Sequence, residues 1–211
     1  MDENLTEQEQ IENLRKWWDE NKMFVLTGLT LGASVLFGWN YYKDQKRIKA
    51  YNAAAVHEEL LVAVNEGDVD AARTASDLLA SDYGSTPYSD LASLSLAKAY
   101  VDSGDLAGAA EVLERTINAG GDLGPIARLR LARVRIAQDR AQDALELLSG
   151  DGGPYRPLYD EIRGDAHVAL GDAQAAHDAY SAALDSDGTA VDRNYVQIKM
   201  AALGLGLDDD E

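Results

Sequence analysis

Three histidines, His57, His167 and His177, are the obvious candidates for metal or proton chemistry, and no two of them stand three or four residues apart. No helix face would therefore present a pair of imidazoles to a metal. The chain has no cysteine, which removes thiolate zinc sites, disulfides and thiol nucleophiles together. Gly150-Asp-Gly-Gly-Pro154 is rich in glycine, but it lacks the lysine and the following helix start of a phosphate loop and reads as a mobile loop between elements. The carboxylates fall in turns and on solvated helix faces, where capping accounts for them. Arg128, Arg130, Arg133 and Arg135 form the only basic cluster beyond residue 50. They read as neutralising an acidic neighbouring repeat; the alternative is a strip that binds acidic ligands. No catalytic, cofactor-binding or metal-ligating residue is assigned, and an enzyme is not expected.

What remains is surface, and surface is set by the elements that carry it. From Ala50 the chain is rich in alanine and leucine with helical spacing, interrupted around Gly67, Gly104, Asp139 and Gly171. These breaks are separated by 37, 35 and 32 residues, and each is followed five positions later by an alanine: Ala72, Ala109, Ala144 and Ala176. A period near 34 residues marks the tetratricopeptide repeat, a helix–turn–helix unit. Glycine or aspartate suits the left-handed turn between the helices, and alanine suits their closest crossing.

The second repeat is the clearest copy, with Leu96, Ala97, Tyr100, Gly104, Ala109 and Leu113 in frame. The third supplies Leu131, Ala132, Ala144 and Leu148, and the fourth Gly164, Gly171, Ala176, Tyr180 and Ala183. The first, around Leu60 to Leu79, is degenerate, with Ser76 where a large apolar residue belongs. Pro87, Pro125 and Pro157 should each open a helix pair. The stretch from Ala190 to Leu203 predicts one more helix, capping the last repeat.

Ahead of the repeats, Met23 to Trp39 is seventeen residues without a charged side chain. Continued through Tyr41 and Tyr42 as a helix it covers roughly 30 Å, the thickness of a bilayer's hydrocarbon core. Trp17 and Trp18 precede it and Trp39, Tyr41 and Tyr42 end it, at headgroup level. Seven acids against three bases in the first 22 residues do not make the basic start of a signal peptide, so the segment reads as a retained anchor. Thr6 and Glu9 match a capping box, and Ile11, Leu14 and Trp18 follow at helical spacing: a short amphipathic helix on the membrane surface, or a frayed polar tail. Gly28 and Gly32, at small-xxx-small spacing, are the candidate packing surface for a second transmembrane helix.

The expected organisation is thus all-α: an acidic tail over 1–21, a transmembrane helix over 22–42, a basic juxtamembrane linker over 43–50, a tetratricopeptide-like α-solenoid over 51–204 and an acidic tail over 205–211. From Ala50 onward 29 acids face 12 bases, which argues against nucleic acid or anionic lipid as a partner of the soluble part.

Ordered blocks make the chain resemble the YfgM family of ancillary SecYEG translocon subunits. They are Gly38-Trp39-x-Tyr41-Tyr42 at the end of the span, Leu91-Ala-Ser-Leu-x-Leu-Ala97, Leu129-Arg-Leu-Ala-Arg-Val134, Ile162-Arg-Gly-Asp165 with Gly171-Asp172, and Gln197-Ile-Lys-Met-x-x-Leu203. The resemblance implies a single-pass protein of the bacterial inner membrane, N-terminus cytoplasmic and repeat domain periplasmic. It also implies work beside the SecYEG translocon with a membrane-anchored periplasmic chaperone of the PpiD type, helping exported proteins. It supplies no catalytic residue and no cofactor. Flanking charge gives little orientation: Arg15, Lys16 and Lys22 precede the span and Lys43, Lys46, Arg47 and Lys49 follow it. A repeat domain inside the cell, tethering a cytosolic regulatory protein, is the alternative, and self-association through Gly28 and Gly32 a third reading.

In stacked repeats the first helix of each pair lines the concave side. By repeat position that face should hold Leu91, Leu94, Lys98, Val101, Ile126, Leu129, Arg133, Ile136, Leu158 and Val168, an apolar groove edged by charge that would suit a helix or an extended chain. Aspartate at Leu94 and Leu129 is expected to abolish partner capture while leaving helicity intact.

Overall fold

A computed structural model describes residues 7–185 and 191–204. Among them there is helix and no strand, and the chain divides into two units, Met1–Lys49 and Ala50–Glu211.

The first unit is the greater part of one helix, α1 (Glu7–Glu66). Nothing in its sequence stops it: there is no proline before residue 87, and the glycines of the apolar stretch are tolerated within helices. Helix therefore continues through 21, 42 and 50, the bounds given to the tail, the span and the linker. Composition changes at those points, but a change from apolar to charged residues marks a change of surroundings and does not end a helix. Thr6, the capping-box residue, lies outside the described residues.

Inside the apolar stretch the hydroxyls close on their own helix. Thr27, Thr30 and Ser34 donate to the carbonyls of Met23, Leu26 and Thr30 at 2.7, 2.8 and 2.8 Å. No polar group there asks for water, which suits a hydrocarbon surrounding. Phe24, Leu29, Val35 and Phe37 are exposed. At the far end Trp39 and Tyr42 stand 6.3 Å apart, with the Lys46 ammonium 4.9 Å from the Tyr42 ring.

The second unit stacks four helix pairs and a cap. The end of α1 pairs with α2 (Val69–Tyr83), α3 (Pro87–Asp102) with α4 (Leu106–Asn118), α5 (Gly124–Ala137) with α6 (Ala141–Leu147), and α7 (Arg156–Ala169) with α8 (Ala173–Leu184). The closing helix α9 (Arg193–Ala201) packs on α8. It is shorter than the expected stretch, whose first residue, Ala190, lies outside the described residues, as do 205–211. Pro87, Pro125 and Pro157 sit in the first turns of α3, α5 and α7.

The turn within each pair is the same device four times. Gly67, Gly104, Asp139 and Gly171 have φ of 74°, 82°, 60° and 77°, the left-handed conformation that closes a helix. The next residue's amide, at Asp68, Asp105, Arg140 and Asp172, reaches back five residues to the carbonyls of Ala63, Tyr100, Arg135 and His167 at 2.8–2.9 Å. Three of these residues also cap the second helix: the carboxylates of Asp68, Asp105 and Asp172 accept from the amides of Ala71, Gly108 and Ala175. The third turn has Asp139 where the others have glycine and Arg140 where the others have the cap. Ala72, Ala109, Ala144 and Ala176 are all completely buried.

The interior is a chain of clusters. One runs from Ala53 through Leu79, Leu96 and Leu113 to Leu131; a second joins Leu129, Leu148, Tyr159 and Ile162; a third holds Tyr180, Val191 and Val196. Such nearest-neighbour burial is how repeat arrays hold together.

Candidate functional site

On α5 the arginines alternate between two neighbours. Arg135 turns toward α4, where its guanidinium pairs with Glu114 and donates to Gln138, which in turn donates to the Leu106 carbonyl. This is the neutralising role expected of the cluster. Arg130 turns toward α3 and donates to the Leu94 carbonyl at 2.9 Å. Arg130 and Arg133, three apart on one face, border a cavity of about 280 Å³ lined by Ala97, Lys98 and Val101 of α3, Leu106 and Leu113 of α4, and Val134 and Ala137 of α5. Its wall is apolar and its rim cationic. Lys98 is paired with Asp102.

The ten expected face residues divide into three groups. Lys98, Val101 and Arg133 meet at this cavity. Leu94 and Leu129 are each only 5 % exposed and pack inside the clusters, with Ile126, Ile136 and Leu158 half-buried against them. Aspartate at Leu94 or Leu129 would bury a charge in the core and unfold the repeats instead of testing a surface. Leu91 and Val168 are 39 % and 46 % exposed but do not line the cavity. Periodicity failed to separate these groups because α3 and α5 are covered on more than one side, so apolar residues recur without marking an open face. Arg130, Val134 and Ala137 complete the cavity. The signal for them was the arginine spacing on α5, which places 130 with 133 and 128 with 135.

Two further arrangements hold the domain in shape. The Arg163 guanidinium pairs with Asp160 and donates to the carbonyls of Leu148 and Gly150. It thereby pins the Gly150–Pro154 segment, read from sequence as a mobile loop, to α7. Under α9, the Lys199 ammonium bonds Glu161 at 2.8 Å and Asp165 at 2.8 and 2.9 Å, and the Tyr180 hydroxyl donates to Asp165 at 2.7 Å. Burial acts to lower Lys199, but the bonds to Asp165 and Glu161 outweigh it and hold the ammonium above its ordinary range. Burial, then the bond to Asp165, push the Tyr180 phenol far upward, so it stays a donor. Among the described residues no cluster of three or more His, Asp or Glu is placed to hold a metal.

Comparison with known proteins agrees with this architecture. Residues 15–205 match the tetratricopeptide repeat-like domain family. An ancillary SecYEG translocon subunit of Escherichia coli K12 is 31 % identical over 204 residues, covering 94 % of this chain and 97 % of the relative. Proteins of the same name from Aggregatibacter actinomycetemcomitans and Haemophilus influenzae are each 26 % identical, covering 93 % of this chain and 97 % of the relative. Among solved structures, a kinesin light chain with TPR-like repeats from Podosopora anserina covers 72 % of this chain and 84 % of its own, with a TM-score of 0.55 at 20 % identity, a likeness of fold alone. Four helix pairs turned by the same left-handed device, one apolar span, and a match to these relatives over nearly the whole length together show that the chain belongs to the YfgM family of ancillary SecYEG translocon subunits.

Proposed function

We propose that this protein is a membrane-anchored interaction scaffold at the SecYEG translocon. Its repeat domain works in the periplasm beside a membrane-anchored chaperone of the PpiD type and assists exported proteins. The observation that carries the reading is the 31 % identity to the Escherichia coli translocon subunit across 94 % of the chain. The structure supplies parts that suit the role: a helix with an exposed apolar stretch whose polar groups are self-satisfied, and a helical-repeat surface with an apolar cavity facing outward. The docking face we assign is the side of α3 and α5 that carries Lys98, Val101 and Arg133. Gly28 and Gly32 are the packing surface we assign to the span.

Orientation tests the reading directly. Protease added to spheroplasts from intact cells is expected to remove the repeat domain. Protection until the membrane is lysed would place the repeats in the cytosol and leave the regulatory tether as the better account. A photo-crosslinking side chain at Val101, 41 % exposed at the cavity mouth, is expected to capture translocon, chaperone or client, and one at Ser81 on the far end of α2 is not.

A further inference from the structure

The charge around the α3–α5 cavity runs against the rest of the molecule. The chain carries a formal charge of −18, and beyond residue 50 Lys98, Arg135, Arg140, Arg156, Arg163 and Lys199 each reach a carboxylate. Arg130 and Arg133 are among the cations that do not, and they stand together at one apolar cavity. Among the described residues neither has a carboxylate within 4.0 Å. Arg130 spends its one hydrogen bond on a backbone carbonyl. Burial, and after it the neighbouring charge of Arg133, depress Arg130 below the usual arginine range. Two like charges, one of them part-buried, are thus held side by side at the mouth of an apolar cavity. A ligand carboxylate would relieve that repulsion, while a cationic ligand would add to it.

The cavity's size sets the other half of the recognition. About 280 Å³ lies at the small end for ligand pockets and suits one or two apolar side chains of a peptide. We propose that this cavity docks a segment of a partner protein that carries an apolar side chain beside two or more carboxylates. The apolar group lies against Val101, Val134 and Ala137, and the carboxylates meet Arg133 and Arg130. Lys98 is a third cation within reach once it exchanges Asp102 for the ligand. This rests on the docking face assigned above and adds the chemical class of what docks there. The domain's overall negative charge then works as selection, since it opposes acidic segments that do not reach such a rim.

The test uses the full chain in nanodiscs of zwitterionic lipid. Three fluorescein-labelled peptides serve as probes: one alternating leucine with aspartate and glutamate, one with its leucines replaced by serine, and one with its acids replaced by lysine. The acidic leucine peptide is expected to bind and to weaken as salt rises, and the other two to bind at least about tenfold less well, the scale of one charge-assisted contact. Arg133→Glu should lose the acidic peptide by a similar factor and gain the lysine peptide, and Arg133→Gln should fall between. Arg133 is exposed and makes no hydrogen bond or ion pair among the described residues, so circular dichroism should match wild type for both. Equal binding of the acidic peptide by wild type and Arg133→Glu, or a preference for the lysine peptide, overturns the proposal. The acidic peptide should also suppress crosslinking from Val101 in membranes. If Val101 crosslinks a partner that the peptide does not displace, the charge preference fails and the docking face stands; if Val101 crosslinks nothing, the docking face fails as well.

Discussion

At the scale of single residues, Ile162-Arg-Gly-Asp165 shows why a short block can identify a family. Each position has its own physical task. Ile162 is completely buried in the second cluster, Arg163 pins the preceding loop, and Asp165 receives both Tyr180 and Lys199. Gly164 is there because of its neighbour: a Cβ on it would come within 2.3 Å of the Tyr180 ring. The matching positions of the second and third repeats hold Ala97 with Leu113 and Ala132 with Leu148, all buried. Small faces large in the same order in these three repeats, and the fourth has moved one step further in both directions. Gly164→Ala should therefore destabilise by about 1–3 kcal/mol through overpacking, in spite of alanine's better helix propensity. Tyr180→Leu should also destabilise, by removing a buried ring and its bond to Asp165. Combining them restores the pairing of the second and third repeats, so the double variant is expected to be more stable than the sum of its parts by about 1–2 kcal/mol. Urea melts of the four proteins of this cycle measure that coupling. Strict additivity would mean that the ring moves aside at no cost and that Gly164 is not held by Tyr180.

At the scale of elements, the turns were legible and the faces were not. The positive φ at Gly67, Gly104, Asp139 and Gly171 follows from local chain chemistry, since a helix closed by a left-handed residue needs one that tolerates it. Aspartate does so at lower comfort than glycine, so the third break could still be found by its spacing. The burial of Leu94 and Leu129, the Arg163 clamp and the Lys199 bonds depend on residues 13 to 38 positions away, or on neighbouring helices, and no local pattern encodes them. His57 is a case of the same kind, read from sequence as a lone histidine. It lies where the end of α1 meets α3, its ring centroid 5.5 Å from that of Tyr88 and its Nε2 buried without a hydrogen-bond partner. Burial lowers its pKa below the ordinary value of 6.5. The unfolded chain thus takes up the proton first as pH falls. The stability His57 contributes is present in full above pH 6.5 and declines below it, toward the depressed folded value. His57→Phe keeps the ring packing and removes the titration. Thermal melts from neutral to mildly acidic pH should fall less steeply for the variant than for wild type. Parallel curves would show that the α1–α3 contact opens enough to solvate the imidazole.

At the scale of the whole molecule, one helix serves two surroundings. Along α1 the side chains of the apolar stretch are exposed, and those of Ala53, Leu60, Ala63 and Val64 near its end are buried among the repeats. Among the described residues the first group has no partner of its own chain, which leaves it open to lipid or another protein. Gly28 and Gly32 allow that alternative to be tested cleanly, because a Cβ at either meets nothing within 4 Å among the described residues. Replacing both with leucine adds no clash within the protein and slightly favours the helix. The repeat domain's melting temperature is therefore expected to be unchanged. Any loss on substitution must come from a second helix that needed the close approach those glycines permit. Lysine-reactive crosslinking in native membranes should show a weaker band to the translocon or chaperone for the Gly28→Leu, Gly32→Leu variant. If the band to a second copy of this chain weakens instead, the glycines serve self-association. If every band persists, the span is an anchor that lipid alone surrounds, and specificity rests with the repeat surface.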